Sequence, residues 1–183
     1  MQISTWISNN ETLLNGLAAV IVIFGFLGAI GRTLFKGLRD ESRKASHSNK
    51  ITLAELSSPS PYRIEFANSE GVNIAYSRVG DSGPPLIVTP GIISNLHVTS
   101  HLPPIRETMN SLAEFAKIIN FDKRGQGLSD PTSQVATMEE RVKDISCIAD
   151  TTQTEKFFLM GISEGGPMSI KYAVDNPDRV AGL

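Results

Sequence analysis

A chain of 183 residues, 40% apolar and 20% charged, has room for one domain of ordinary globular composition. Its formal net charge of -2 offers no cationic excess to hold a nucleic-acid backbone, and no acidic run marks a disordered tail, so nucleic acid is not an expected partner. The single cysteine, Cys147, excludes an internal disulfide and a thiolate metal cluster; it fits a reducing compartment and reads as a small buried apolar side chain.

Residues 1–12 form a short tail without a cation. Leu13 to Gly31, LLNGLAAVIVIFGFLGAIG, carries no charge and one amide, and at about 1.5 Å rise per residue it is long enough to cross ~30 Å of hydrocarbon. A cleaved signal peptide would need a basic segment ahead of that run, although Ala29-Ile30-Gly31 could pass for a weak cleavage site, and a buried core helix would show a polar face. A single-pass membrane anchor is therefore the expectation. Arg32, Lys36, Arg39, Arg43, Lys44 and Lys50 all follow the span, which places the C-terminal part on the cytoplasmic side of the cell membrane. Gly25 and Ala29 make one small-xxx-small pair that would let two such helices pack closely; the sequence does not otherwise indicate an oligomeric state. Residues 32–61, closing on Ser57-Ser58-Pro59-Ser60-Pro61, read as a basic juxtamembrane linker, and a soluble domain is expected over 62–183.

Within that domain, Tyr62 to Ala67 and Val72 to Val79 alternate partially around the turn Ser69-Glu70-Gly71, which predicts a hairpin. Leu86-Ile87-Val88 is a short unbroken apolar run, as in a strand covered on both faces, and Pro90-Gly91 stops it. Pro103-Pro104 suit a helix start, with Ile105, Met109, Leu112 and Ala116 at helical spacing behind them. Ile118 to Phe121 is the next strand. Thr137 and Glu140 make a capping box ahead of Met138, Val142, Ile145 and Ala149, the stripe of another helix. Phe157 to Met160 is a third buried strand. Strands separated by helices imply crossover connections, hence an α/β fold with a mostly parallel sheet and helices on both faces.

Directly after the third buried strand comes Gly161-Ile162-Ser163-Glu164-Gly165-Gly166, a G-x-S-x-G. Glycine and serine are common and the pattern arises by chance in loops; a strand before it and a helix after it give it weight. A serine hydroxyl is a poor nucleophile unless a sharp turn holds it where a base can reach it. The small residues Gly161 and Gly165, with Gly166 behind them, let the backbone close that turn. Ser163 is thus the expected catalytic nucleophile, and Glu164 would give its backbone N–H to an oxyanion hole. Pro90-Gly91-Ile92-Ile93 follows the earlier buried strand, where the other oxyanion N–H is donated; Ile92 is the expected donor, with Gly91 shaping the loop.

Three blocks, Thr89-Pro90-Gly91-Ile92-Ile93, Phe121-Asp122-Lys123-Arg124-Gly125-Gln126-Gly127-Leu128-Ser129-Asp130 and Gly161 to Gly166, resemble the α/β-hydrolase superfamily over about residues 62 to 183. The middle block is similar to the family's D-x-R-G-x-G-x-S loop. In isolation its G-x-G would be a weak nucleotide signal; in this setting Gly125 and Gly127 fix a turn, with Asp122 and Arg124 in structural polar contacts. The wording FDKRGQGLSD and GISEGGPMS is similar to the hydrolase-like domains fused to bacterial class III adenylate or guanylate cyclases. One departure is Pro90-Gly91, where many members have His-Gly before the oxyanion loop.

The resemblance implies a Ser-acid-His triad in that chain order. Twenty residues follow Ser163, with Asp175 and Asp178 in what reads as a helix-end turn and no histidine. His47, His97 and His101 all precede the serine and are not expected to be catalytic. Val180 to Leu183 resembles the start of another strand, which suggests a fold truncated after the nucleophile helix. The strand before Ser163 would then keep one open side, leaving these residues marginally stable and aggregation-prone. The expected function is a membrane-anchored serine hydrolase acting on an ester or related acyl compound through an acyl-serine, inactive as this fragment alone. The alternative is a non-catalytic ligand-binding module regulating a downstream effector such as a cyclase. An Asp nucleophile, as in epoxide and haloalkane hydrolases, is disfavoured by the serine at the turn, and no metal or organic cofactor is implied.

Overall fold

The computed structural model describes residues 51–183, which form one compact unit. The anchor expected over 13–31 lies outside the described residues; among those described, no helix is long and apolar enough to cross a membrane.

Six strands form one sheet: β1 (Ile64–Ser69), β2 (Val72–Val79), β3 (Pro85–Thr89), β4 (Lys117–Phe121), β5 (Phe157–Gly161) and β6 (Val180–Gly182), in the order β1-β2-β4-β3-β5-β6. The hairpin β1–β2 is antiparallel and β2 joins β4 antiparallel, whereas β4, β3, β5 and β6 run parallel. The mostly parallel sheet follows from the crossover helices that the apolar stripes predict. β5 is not left open: β6 pairs with it at Phe157 and Phe158, so the short β6 becomes the edge.

Side chains alternate across the sheet, and two cores result. Ile74, Tyr76, Ile87, Ile119 and Phe121 face one side and pack with Val142, Ile145 and Ile148 of α4 (Met138–Thr151) and with Met168 and Tyr172 of α5 (Gly165–Asp175). Val79, Val88 and Ile118 face the other side, against Met109 of α3 (Pro103–Ala113). The capping box forms at α4: Thr137 Oγ1 accepts from Glu140 N at 3.2 Å while the Glu140 carboxylate accepts from Thr137 N at 2.7 Å.

Two elements depart from the sequence reading. Part of the expected linker is folded: α1 (Leu53–Leu56) closes with its own capping box, since Thr52-x-x-Glu55 is the same signal in a stretch without an apolar stripe. A further helix, α2 (Leu96–His101), follows the Pro90-Gly91 loop; Asn95 caps it, its side chain accepting from Val98 N. The two meet, with His97 Nε2 donating to Leu56 O at 2.7 Å and Ser60 Oγ 3.1 Å from Ser100 Oγ.

Candidate active site

β5 delivers the chain to the top of the sheet and α5 carries it away, leaving Ile162, Ser163 and Glu164 to reverse direction. Ser163 takes φ +54, a left-handed conformation that costs a non-glycine residue about 1–3 kcal/mol and persists only where the surroundings enforce it. They do. A Cβ on Gly165 would lie 2.1 Å from Thr89 O, and one on Gly161 would lie 2.6 Å from the Gly166 Cα, so glycine is obligatory at both positions for steric reasons. Gly166 differs from that expectation: a Cβ there would meet nothing within 4 Å, so its place in the turn is not imposed by crowding. The turn is tied to β3 by Ile162 N donating to Thr89 O at 3.0 Å and by Thr89 Oγ1 within reach of Gly165 O (3.0 Å) and of Ser169 Oγ.

The Pro90-Gly91-Ile92 loop runs beside this turn. A Cβ on Gly91 would stand 3.4 Å from the Ser163 Cβ, which places the loop backbone directly against the serine. Among the described residues, the N–H groups of Ile92 and Glu164 donate to no protein acceptor. Glu164 is the N-cap of α5, where the helix dipole favours negative charge, and Ile92 follows the glycine packed against the serine.

The loop after β4 braces this arrangement. The fully buried Asp122 carboxylate accepts from Leu96 N (3.0 Å) and Leu128 N (2.9 Å), pinning the first residue of α2. Burial pushes its pKa up, and those two N–H bonds oppose the shift. Gly127 (φ +56) leaves room for that carboxylate, since a Cβ would fall 2.1 Å from it; at Gly125 (φ +76) a Cβ would fall 2.7 Å from Thr132 Oγ1. Arg124 grips Asp144 of α4 with two bonds, of 2.9 and 2.6 Å, and adds Ser69 at 3.1 Å.

Between them stands Lys123, whose side chain is 2% exposed. Its Nζ donates to the Glu164 carboxylate at 2.5 Å and to Ile92 O at 3.2 Å. It therefore links Ile92 to Glu164, the two residues whose N–H groups the sequence marks as oxyanion donors. Arg141 of α4 donates to the other Glu164 oxygen, and Gln126 Nε2 donates to Ile92 O at 2.8 Å. Lys123 first, then Arg141, holds the Glu164 carboxyl below its ordinary pKa. Two cations on one carboxylate leave a net positive charge behind the free donors.

Ser163 opens onto a cavity of about 390 Å³ between the sheet and helices α2 and α3, walled by Val88, Ile92, Ile93, Leu96, Ile105 and Met109. This volume lies within the ~300–1,000 Å³ of small-molecule sites. The family model for the alpha/beta hydrolase fold matches residues 84–183, more than half of the chain. The chain belongs to the α/β-hydrolase family. Human mitochondrial palmitoyl-protein thioesterase ABHD10 is 32% identical over 121 residues, covering 66% of this chain and 39% of that protein. Fluoroacetate dehalogenase from Burkholderia sp is 30% identical over 110 residues, covering 57% and 34%. Among solved structures, a meta-cleavage product hydrolase (CumD) superposes with TM-score 0.55 at 28% identity, covering 63% of this chain and 42% of the other. The chain thus spans about two fifths of the thioesterase's length.

In this α/β-hydrolase the two described histidines are outside the lining of the cavity that Ser163 enters. His97 and His101 stack on each other at 4.7 Å and bond the α1 segment, His97 to Leu56 O and His101 to Ser58 Oγ at 3.1 Å; neither lines the cavity. His47 lies outside the described residues. Asp175 pairs with Lys171 at the end of α5, as a helix-end residue does. The sequence reading missed Lys123, Arg141, Thr89 and Ser169. Lys123 alone had a visible signal, a lysine at the exit of an apolar strand beside the Asp122 turn.

Proposed function

We propose that this chain carries the nucleophile of a serine hydrolase that cleaves an ester or thioester of a largely apolar acyl group. Ser163 Oγ attacks the acyl carbon while a base takes its proton. The carbonyl oxygen becomes an oxyanion held by the N–H groups of Ile92 and Glu164, the bond to the alcohol or thiol breaks, and water then releases the acyl group from the serine. The base comes from outside the described residues. The observation that carries this reading is the left-handed Ser163 beside two unpaired N–H donors at the mouth of an apolar cavity. The likeness to a thioesterase supports a thioester among the substrates.

The charge-free run over 13–31 and the cations after it support a membrane anchor with the hydrolase domain on the cytoplasmic side. A rival reading, a regulatory module joined to a nucleotide cyclase, is favoured by the expected anchor and by the wording of the Asp122 and Ser163 motifs; a cyclase domain in the same reading frame would support it. The hydrolase reading is tested by a fluorophosphonate probe on the intact protein. Labelling that disappears in Ser163→Ala is expected; absent labelling, or equal labelling of that variant, overturns it.

A further inference from the structure

The cavity beside Ser163 is walled mostly by apolar surface, and its polar lining residues Ser94, Asn95, Thr99, Ser100 and Asp122 hydrogen-bond within the protein; two others depart from that pattern. Ser77 on β2 and Asn120 on β4 are direct cross-strand partners, and both line it. They occupy positions where the alternation calls for apolar side chains: Val79 and Ile118, two residues along each strand, lie in the core on that face. Ser77 is 2% exposed and meets the cavity, and among the described residues its hydroxyl donates to and accepts from no protein group. Asn120 is engaged only through Nδ2, weakly, with the Met109 sulfur at 3.5 Å, which leaves Oδ1 free. Polar groups in core positions are ordinarily satisfied within the protein, so a hydroxyl and an amide oxygen without protein partners on a cavity wall point to a ligand.

We propose that Ser77 and Asn120 form a subsite for a hydroxyl group on the acyl chain, so that the preferred substrates are hydroxyacyl esters or thioesters. This rests on the hydrolase reading above and names its substrate class. A hydroxyl has one proton to give and lone pairs to receive. It donates to Asn120 Oδ1 and accepts from the Ser77 hydroxyl, satisfying both in one contact; an unsubstituted chain satisfies neither. The sheet fixes where that hydroxyl sits. Asn120 is in register with Val88, and Val88 with Met160, so the pair lies two or more strand spacings, about 10 Å, from the strand that delivers Ser163. The substituent is therefore well along a chain of medium length rather than next to the carbonyl.

The test has a binding arm and a turnover arm on the intact protein. Decanoic acid and its monohydroxy isomers are titrated calorimetrically, and the matching nitrophenyl esters are assayed for kcat/KM. At least one mid-chain hydroxy isomer is expected to bind, and its ester to react, about 10–100-fold better than the unsubstituted compound, the discrimination a hydrogen-bonding site exerts against an analogue lacking the group. Ser77→Ala and Asn120→Leu, made separately, should each reduce that ratio towards one, the ratio within each variant being the readout whatever its absolute rate. A wild-type ratio near one for every isomer, or a ratio that neither variant changes, overturns the subsite. Loss of labelling and turnover in the wild type, with selective binding retained, would sink the hydrolase reading and spare the subsite.

Discussion

Replacing Lys123 by methionine tests whether the two donors at Ser163 are held as one unit. Complete removal of one partner from a fully buried ion pair costs about 3–5 kcal/mol. Here Glu164 is 33% exposed and keeps Arg141, so its charge is not orphaned, and methionine refills most of the volume. The stability cost should be about 1–3 kcal/mol. The kinetic effect has a different ceiling. Deleting an oxyanion donor outright lowers kcat by about 10²–10³, whereas Lys123→Met leaves both N–H groups present and only unties Ile92 from Glu164. A fall in kcat of about 10–100-fold is expected, with KM changed by less than about threefold, because the strut bears on the oxyanion and not on the acyl chain. Lys123→Arg should recover part of the rate. The assay is kcat and KM on a nitrophenyl ester with the intact protein, alongside its thermal midpoint. A lowered midpoint with unchanged kcat would show that Lys123 serves folding alone and refute the coupling.

Three further outcomes follow from the geometry. Ser163→Gly should stabilise the protein against denaturant by about 1 kcal/mol relative to Ser163→Ala while both lose labelling, because only glycine relieves the positive φ; equal stabilities would deny the strain. Asp144→Ala should cost about 2–4 kcal/mol, because the buried Arg124 loses its two-bond partner and keeps only Glu140 at 3.6 Å and Ser69 at 3.1 Å, and a midpoint loss of only a degree or two would contradict that burial. The Glu164 carboxyl, held below its ordinary 4.5 by Lys123 and Arg141, contributes stability that is full above that pH and is lost as pH falls through its lower folded value. Glu164→Gln should therefore start less stable at neutral pH and show a shallower decline below pH 4.5 than the wild type; parallel acid limbs would refute the assignment.

What the sequence made legible was local in origin. The capping box at Thr137 and Glu140, the proline start at Pro103 and the apolar stripes repeat within a few residues, and each appears where its period places it except Ala116, which falls past the end of α3 at Ala113. The Gly161 and Gly165 requirements were readable for the same reason, since the turn must close on itself, although the hardest contact of Gly165 is with Thr89, distant in sequence. The roles of Lys123 and Ser77 were not legible. A lysine after a strand normally reaches solvent, and a serine in a strand normally faces it; only pairing β2 with β4 and laying the Pro90 loop across the top of the sheet buries both. The α1 helix was hidden differently: Thr52 and Glu55 carry a start signal, but Leu53 and Leu56 are too few to form a stripe. Its contacts to α2 come instead from His97 and His101, which read in sequence as unplaced titratable groups. Lys123 and Ser77 both lie in the surroundings of the nucleophile turn, Lys123 bonded to Glu164 and to the Ile92 carbonyl and Ser77 on the cavity wall. A polar side chain in a core position is tolerated where it has a partner, and the proposed subsite gives Ser77 one in the hydroxyl of the acyl chain.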